Sequence, residues 1–256
     1  VMFGGLTIAN IIGIPLGTYV GHNISWRITF MMVVAIGICA ILAITLWMPN
    51  LEKREAKNPL EELKVFTHIE PWLVLLVTAI GTGGFFAWYS YITPLLTEVS
   101  GFSDNAVTFI LMFAGIGMTF GNFLGGKLAD KFSPVKATGI LLTAMTLSLI
   151  MVSQLAPTPW TSLVMTFITG ALAFSTAAPI QMLMIKAAKG SEMLASGVNQ
   201  AGFNIGNAIG AFLGGLPIAA GYGFTSPPYV GACLATLGVM LAVSIIFLRK
   251  KRSQVV

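Results

Sequence analysis

The run Gly202-Phe203-Asn204-Ile205-Gly206-Asn207-Ala208-Ile209-Gly210-Ala211-Phe212-Leu213-Gly214 decides the fold, because its glycines recur every four residues inside an uncharged stretch. That spacing places them along one helix face. A face without side chains lets a second backbone approach closely, which is how helices associate in lipid, where burial of apolar surface supplies no drive between them. In water each such glycine would cost about 1 kcal/mol against alanine. The pattern returns at the start of the chain. Asn10-Ile-Ile-Gly13-Ile-Pro15-Leu16-Gly17 lies over Asn207 to Gly214 at a constant offset of 197 residues, and Gly5, Ala9, Gly13 and Gly17 lie over Gly202, Gly206, Gly210 and Gly214. An internal duplication explains this better than chance similarity of two glycine-rich helices.

Composition agrees with a lipid environment. The 256 residues are 56% hydrophobic and 9% charged, with a mean hydropathy of +0.87, whereas soluble domains carry about 25% charged residues. The chain reads as an all-α, multi-pass integral membrane protein. Cys39 and Cys233 fall in apolar runs and read as packing residues, with no disulfide or metal role. The net charge of +5 is explained by membrane topology, so no nucleic-acid partner is expected. The chain opens with Val1 inside an apolar segment, and we expect an N-terminally truncated protein.

Uncharged runs long enough to cross a bilayer predict eight spans. The first covers about 2–21 and the second runs from Ser25-Trp26-Arg27 to Pro49. A polar loop over 50–70 holds nine charged residues. The third span covers 71–97, interrupted by Pro94, and the fourth about 106–126, with its own ladder at Gly117, Gly121 and Gly125. Residues 137–185 hold the fifth and sixth, divided by Pro157-Thr158-Pro159. Residues 193–248 hold the seventh and eighth, divided around 221–228. Alternation at period two is absent, which favours helices over a barrel. Alternate loops carry 13 of the 14 Lys and Arg residues, and the other side carries Arg27 alone. The positive-inside rule then places the 50–70 loop and both chain ends in the cytoplasm. Equivalence of spans one and seven sets a period of six helices. Residues 1–48 become the last two helices of an N-terminal bundle, 49–69 a cytoplasmic linker, and 70–256 a complete six-helix C-terminal bundle. About four N-terminal helices of an inferred twelve are expected to be missing.

Three motifs resemble the major facilitator superfamily. Gly125-Gly126-Lys127-Leu128-Ala129-Asp130-Lys131-Phe132 is similar to the second copy of its G-x-L-a-D-r-x-G-r loop, with Ser133 and Pro134 where the motif usually has Gly and Arg. Gly13-Ile14-Pro15-Leu16-Gly17 resembles the G-P-x-x-G pattern of the fifth helix in its antiporter branch, with one extra residue between Gly13 and Pro15. Trp26-Arg27-Ile28-Thr29-Phe30 resembles the W-R-x-x-F that opens the sixth helix. With Phe86-Ala87-Trp88-Tyr89-Ser90-Tyr91 and Gly101-Phe102-Ser103 added, the chain resembles sugar-efflux permeases of the AraJ type, within the drug:proton antiporter branch. The resemblance implies the major facilitator fold and secondary active, proton-coupled efflux of a small organic solute, sugar or drug-like, across a bacterial inner membrane by alternating access. It also implies that Gly126, Asp130, Lys131, Gly13, Pro15, Gly17 and Arg27 serve gating, with Asp130 pairing across the halves. An importer of the same superfamily and a non-transporting structural membrane protein are the alternatives.

All nine acidic residues lie in loops or at helix ends. A charge at a helix centre costs about 2.5–3.5 kcal/mol on insertion scales and marks proton sites when present. None is present, so the coupling residues are expected at helix ends or outside this chain. An enzyme within the bilayer would need acids, histidines or a metal cluster there, so no catalytic residue, cofactor or metal is expected. The polar groups inside spans are Asn10, Asn122, Gln181, Asn199, Gln200, Asn204 and Asn207. Each serves either as hydrogen-bonding glue between helices, at about 0.6 kcal/mol, or as part of a cavity. Asn10, Asn122 and Asn207 adjoin glycine ladders and read as glue. Gln181, Gln200 and Asn204 are the cavity candidates, joined by Trp88, Tyr89 and Tyr91, whose rings and polar tips suit a sugar or a flat amphiphile. The ladders of spans one and four are expected to face each other, and that of span seven to face a helix this chain lacks.

Overall fold

The computed structural model describes residues 9–48 and 62–253, which are helical, with no strand among them. A π-helical turn at Ala9–Gly13 runs into Ile14–Asn23 to give α1, and α2 is Trp26–Trp47. Then follow α3 (Ile69–Tyr89), α4 (Asp104–Phe132), α5 (Pro134–Leu155), α6 (Pro159–Ala187), α7 (Glu192–Ala219) and α8 (Pro227–Ser253). Eight helices thus stand where eight spans were predicted. Among the described residues six of them, all but α1 and α7, are long and apolar enough to cross a membrane. The 28-residue α7 has the length, but its glycines and carboxamides lower its hydropathy. Of the predicted linker, 49–61 lies outside the described residues and Lys64–Thr67 forms a 3-10 turn.

Local chemistry sets the helix ends. Ser25 accepts the Arg27 backbone N–H at 3.2 Å to start α2, and Ser103 accepts that of Ala106 at 3.4 Å to start α4. Pro134 and Pro159 open α5 and α6, where a missing N–H costs nothing. Proline also breaks helices, by clashing with the carbonyl four residues back. Pro94 therefore interrupts the third span at Ser90–Tyr91, before a short helical continuation to Val99. Pro179 acts likewise on the carbonyl of Ser175, and α6 is divided at Thr176 into Pro159–Ser175 and Ala177–Ala187. The fourth span runs on to Phe132, so the motif Gly125 to Phe132, predicted as a loop, is helical. Ser133 alone connects α4 to α5, at φ 74°.

The glycine ladders pack within one bundle, which corrects the expected pairing. On α4, a Cβ at Gly117 would lie 2.6 Å from the Phe167 carbonyl oxygen, and Cβ atoms at Gly121 and Gly125 would overlap the carbonyls of Ala171 and Ser175. On α7, a Cβ at Gly206 would lie 2.6 Å from the Ala79 carbonyl, and one at Gly214 2.6 Å from that of Ala87. Gly210 meets Gly83 between them. Both contacts step by four residues in the same direction on each partner, so α4 runs parallel to α6 and α7 parallel to α3. Helices α3–α5 and α6–α8 thus form two triplets, and the second helix of each lays its ladder on the first helix of the other. That relation between triplets is the nested three-helix repeat known inside such bundles, and the sequence offset did not reveal it. At the remaining seam Gly84 meets Gly231 and Gly81 meets Gly238, with α3 and α8 antiparallel.

Helix α1 does pack against α4, as predicted, but not through its glycines. A Cβ at Gly13 would meet nothing within 4 Å, and one at Gly17 would meet Thr29 of α2 at 3.4 Å. No residue of α2 is buried. The ladder of α7, expected to be exposed, is buried on α3 because the closest backbone approach is made inside the bundle.

Candidate functional site

Helix α7 is divided lengthwise. Ala195, Asn199, Gly202, Gly206, Gly210 and Gly214 are buried on one side, while Gln200, Asn204 and Asn207 are exposed on the other. Spacings of four and three residues put these three carboxamides on one face.

Gln181 is half-buried and belongs to a different arrangement. Thr78 Oγ1, on α3, shares its proton between Val74 O at 2.9 Å and Asn199 Oδ1 at 2.7 Å. Asn199 Nδ2 donates to Gln181 Oε1 at 2.7 Å, and Gln181 Nε2 donates to Ser196 Oγ at 2.9 Å. Ser196 Oγ then donates to Glu192 O at 2.8 Å. This chain of uncharged hydrogen bonds joins α3, α6 and α7, and Thr78 and Asn199 within it are 0% exposed. Nothing in the sequence singled out Thr78, because a threonine in an apolar run looks like filler. Its partner is 121 residues away.

The aromatic candidates sit elsewhere in the bundle. Trp88 is 1% exposed, and its indole N–H has no hydrogen-bond partner. Its ring lies 5.8 Å from Phe85 and 6.1 Å from Tyr89. Tyr89 stacks on Phe85 at 4.8 Å, and Phe85 meets Phe174 of α6 edge-on at 5.9 Å. Tyr91, just past the break in α3, donates from its hydroxyl to the Ala211 carbonyl of α7 at 2.9 Å. The structure therefore groups Trp88 with Tyr89, ties Tyr91 to α7 and Gln181 to Asn199, and leaves Gln200 and Asn204 facing outward.

Asn122, expected to bond between helices, has no partner for either its Nδ2 or its Oδ1. Asn207 is exposed, and the side chains of Asn10 and Pro15 lie outside the described residues. Among the gating candidates, a Cβ at Gly126 would meet nothing within 4 Å. Lys131 Nζ lies 5.2 Å from the Phe132 ring centroid, and the Arg27 guanidinium 5.4 Å from that of Trp26. Asp130 and Lys131 are exposed. An ion pair joins Arg249 to Glu70, with Nε at 2.8 Å and Nη2 at 2.5 Å from Oε1. It ties the end of α8 to the first turn of α3, a pairing across 179 residues that no local pattern marks.

Comparison with known proteins fits this architecture. Residues 1–193 match the model of the family described as Major Facilitator Superfamily. The chain is 35% identical over 255 residues to the protein AraJ of Escherichia coli (strain K12), covering 99% of this chain and 64% of that protein. It is 35% identical over 240 residues to the inner membrane transport protein YdhP of the same organism, covering 94% and 61%. With a protein named probable sugar efflux transporter, of Helicobacter pylori (strain ATCC 700392 / 26695), it shares 28% over 242 residues, covering 92% and 60%. The chain spans somewhat less than two thirds of the length of these relatives.

Proposed function

The chain belongs to the major facilitator superfamily, and from that premise we propose that it serves a secondary active transporter that exports a small organic solute in exchange for protons by alternating access. The observation that carries this reading is the exposed carboxamide face of α7. Polar side chains on a spanning helix are costly against lipid and mark a water-filled path or a protein partner. Gln200 and Asn204 are then solute ligands, and Gln181, whose oxygen accepts from Asn199 on the buried side of α7, joins them only once that bond has opened. Trp88 and Tyr89 form an aromatic wall deeper in the bundle, and Tyr91 stands beside α7. The unpaired indole N–H of Trp88 suits a solute hydroxyl that reaches it in another conformation.

A sugar-like solute is supported by the printed name of the Helicobacter relative and by the neutral character of these groups. Proton coupling follows the antiporter branch that Gly13 to Gly17 resembles. Among the described residues, its carboxylates are those at helix ends, such as Glu70, Asp130 and Glu192. Gly126, Asp130, Lys131 and Arg27 keep the gating roles that the family motifs imply, together with Gly13, Pro15 and Gly17.

The test uses everted membrane vesicles from cells making the full-length protein, energised to acidify their interior and given labelled pentoses and hexoses. Uptake that a protonophore abolishes, and that falls to near background with Gln200→Ala and Asn204→Ala combined, is the expected result. Uptake unchanged by the protonophore would remove the coupling, and uptake unchanged by the two substitutions would remove the site.

A further inference from the structure

The turn Lys64–Thr67 ahead of α3 and the turn between α6 and α7 enclose a cavity of about 470 Å³. Glu62, Lys64, His68, Lys189, Gly190 and Ser191 line it, so two ammonium groups stand there against one carboxylate. Two long helices begin at this cavity. His68 is the N-cap of α3 and Ser191 that of α7, and neither side chain caps its helix. Since α3 and α7 run parallel, the positive ends of both dipoles lie on the same side of the bundle, with backbone N–H groups that have no acceptor inside the helix. The acids of the two first turns are engaged: Glu70 pairs with Arg249, and Glu192 Oε1 accepts the Gly190 N–H at 2.8 Å. Ser191 is only 7% exposed, and its hydroxyl has no hydrogen-bond partner among the described residues. A buried hydroxyl is costly unless something supplies that partner.

We propose that this cavity binds a phosphate group, carried by an anionic lipid headgroup or by a phosphorylated small molecule from the aqueous phase. The Ser191 hydroxyl and the first N–H groups of α7 donate to the phosphate oxygens, the interaction that helix N-termini offer to anions. Lys64 and Lys189 reach it from the two turns, and their charge-assisted hydrogen bonds are about twice as strong as neutral ones. The His68 ring adds a donor from the start of α3. Donors on two turns and a helix end suit a tetrahedral phosphate, which presents oxygens in several directions, better than a planar carboxylate. Glu62 disfavours a second anionic group in the same cavity, which limits the ligand to a single phosphate. The cavity lies apart from the carboxamide face of α7, and the assignment does not depend on which solute is carried.

The test titrates the full-length protein, purified in a neutral detergent at fixed ionic strength, with inorganic phosphate and separately with dioctanoyl phosphatidylglycerol, and follows the melting temperature. A ligand that binds only the folded protein raises it. The melting temperature should rise with at least one of these probes, and should not move with sodium chloride or dioctanoyl phosphatidylcholine at the same concentrations. The midpoint of the rise should lie several-fold higher with Lys64→Gln or Lys189→Gln. It should be unchanged by Lys136→Gln, which removes an exposed cation on α5 outside the cavity. A rise with inorganic phosphate alone assigns the site to free phosphorylated solutes, one with phosphatidylglycerol alone to the headgroup, and one with both to the phosphate of either source. No rise with either probe would overturn the site, as would a midpoint that both cavity substitutions leave in place or that Lys136→Gln shifts as far. If neither lysine variant purifies in folded form, the smaller change Ser191→Ala decides by the same midpoint.

Discussion

At Gly121 a single methyl group is already too large. The Cβ of an alanine there would overlap the carbonyl oxygen of Ala171, which is backbone and cannot rotate away. Gly121→Ala should therefore destabilise the bundle by about 1–3 kcal/mol, the usual cost of overpacking. Gly139 lies on no ladder and a Cβ there meets nothing within 4 Å. Gly139→Ala should be neutral or gain up to about 1 kcal/mol from helix propensity. Thermal unfolding of the two variants in detergent measures the difference, and equal melting temperatures would show that the ladder contact is not close. The same distinction separates the asparagines. Asn199 satisfies two partners across helix boundaries, whereas Asn122, beside Gly121, satisfies none. In sequence Asn122 stands alone in an apolar run and Asn199 stands beside Gln200, and neither setting marks a partner.

Among elements, the junction of α4 and α5 is the tightest. One residue reverses the chain between a 29-residue and a 22-residue helix, and Pro134 fixes the first turn of the second. Ser133 pays for this with φ 74° and ψ 147°, and it is the only non-glycine with positive φ among the described residues. That region is populated almost only by glycine and costs another residue about 1–3 kcal/mol. The superfamily motif usually has Gly at this position. Ser133→Gly should accordingly raise stability by about 1 kcal/mol or more, read as a higher melting temperature. A lower one would mean that the Ser133 side chain makes a compensating contact. The break in α3 and the break in α6 have a different origin, since each adjoins the residue four before a proline, Ser90 and Ser175.

For the whole molecule, charge sets direction. The ends of α6 and α8 and the starts of α3 and α7 lie together and gather Lys64, Lys186, Lys189 and Arg249. By the positive-inside rule we expect this end to face the cytoplasm. In intact cells an impermeant maleimide should leave Lys189→Cys unlabelled and should label Thr158→Cys, at the opposite end of α6. Labelling of the first and protection of the second would invert the topology and with it the direction assigned to transport.

Helix number and family were legible in the sequence because both are written in local stretches of residues. A bilayer demands about 20 apolar residues per crossing, loop charges bias orientation, and both can be read from consecutive residues. The motifs at Gly13, Trp26 and Gly125 were equally local. Which face met which was not. The spacing of Gly117, Gly121 and Gly125 announced a close contact, yet its partner carbonyls at Phe167, Ala171 and Ser175 carry no sequence mark, since every residue has a carbonyl. Tertiary structure alone decided that the ladders close one bundle, that Thr78 meets Asn199 and that Glu70 meets Arg249. Those pairings arise from helices that are neighbours in space but far apart in the chain. In lipid, where no hydrophobic drive selects partners, the fit of backbone into glycine groove and of donor to acceptor makes the choice.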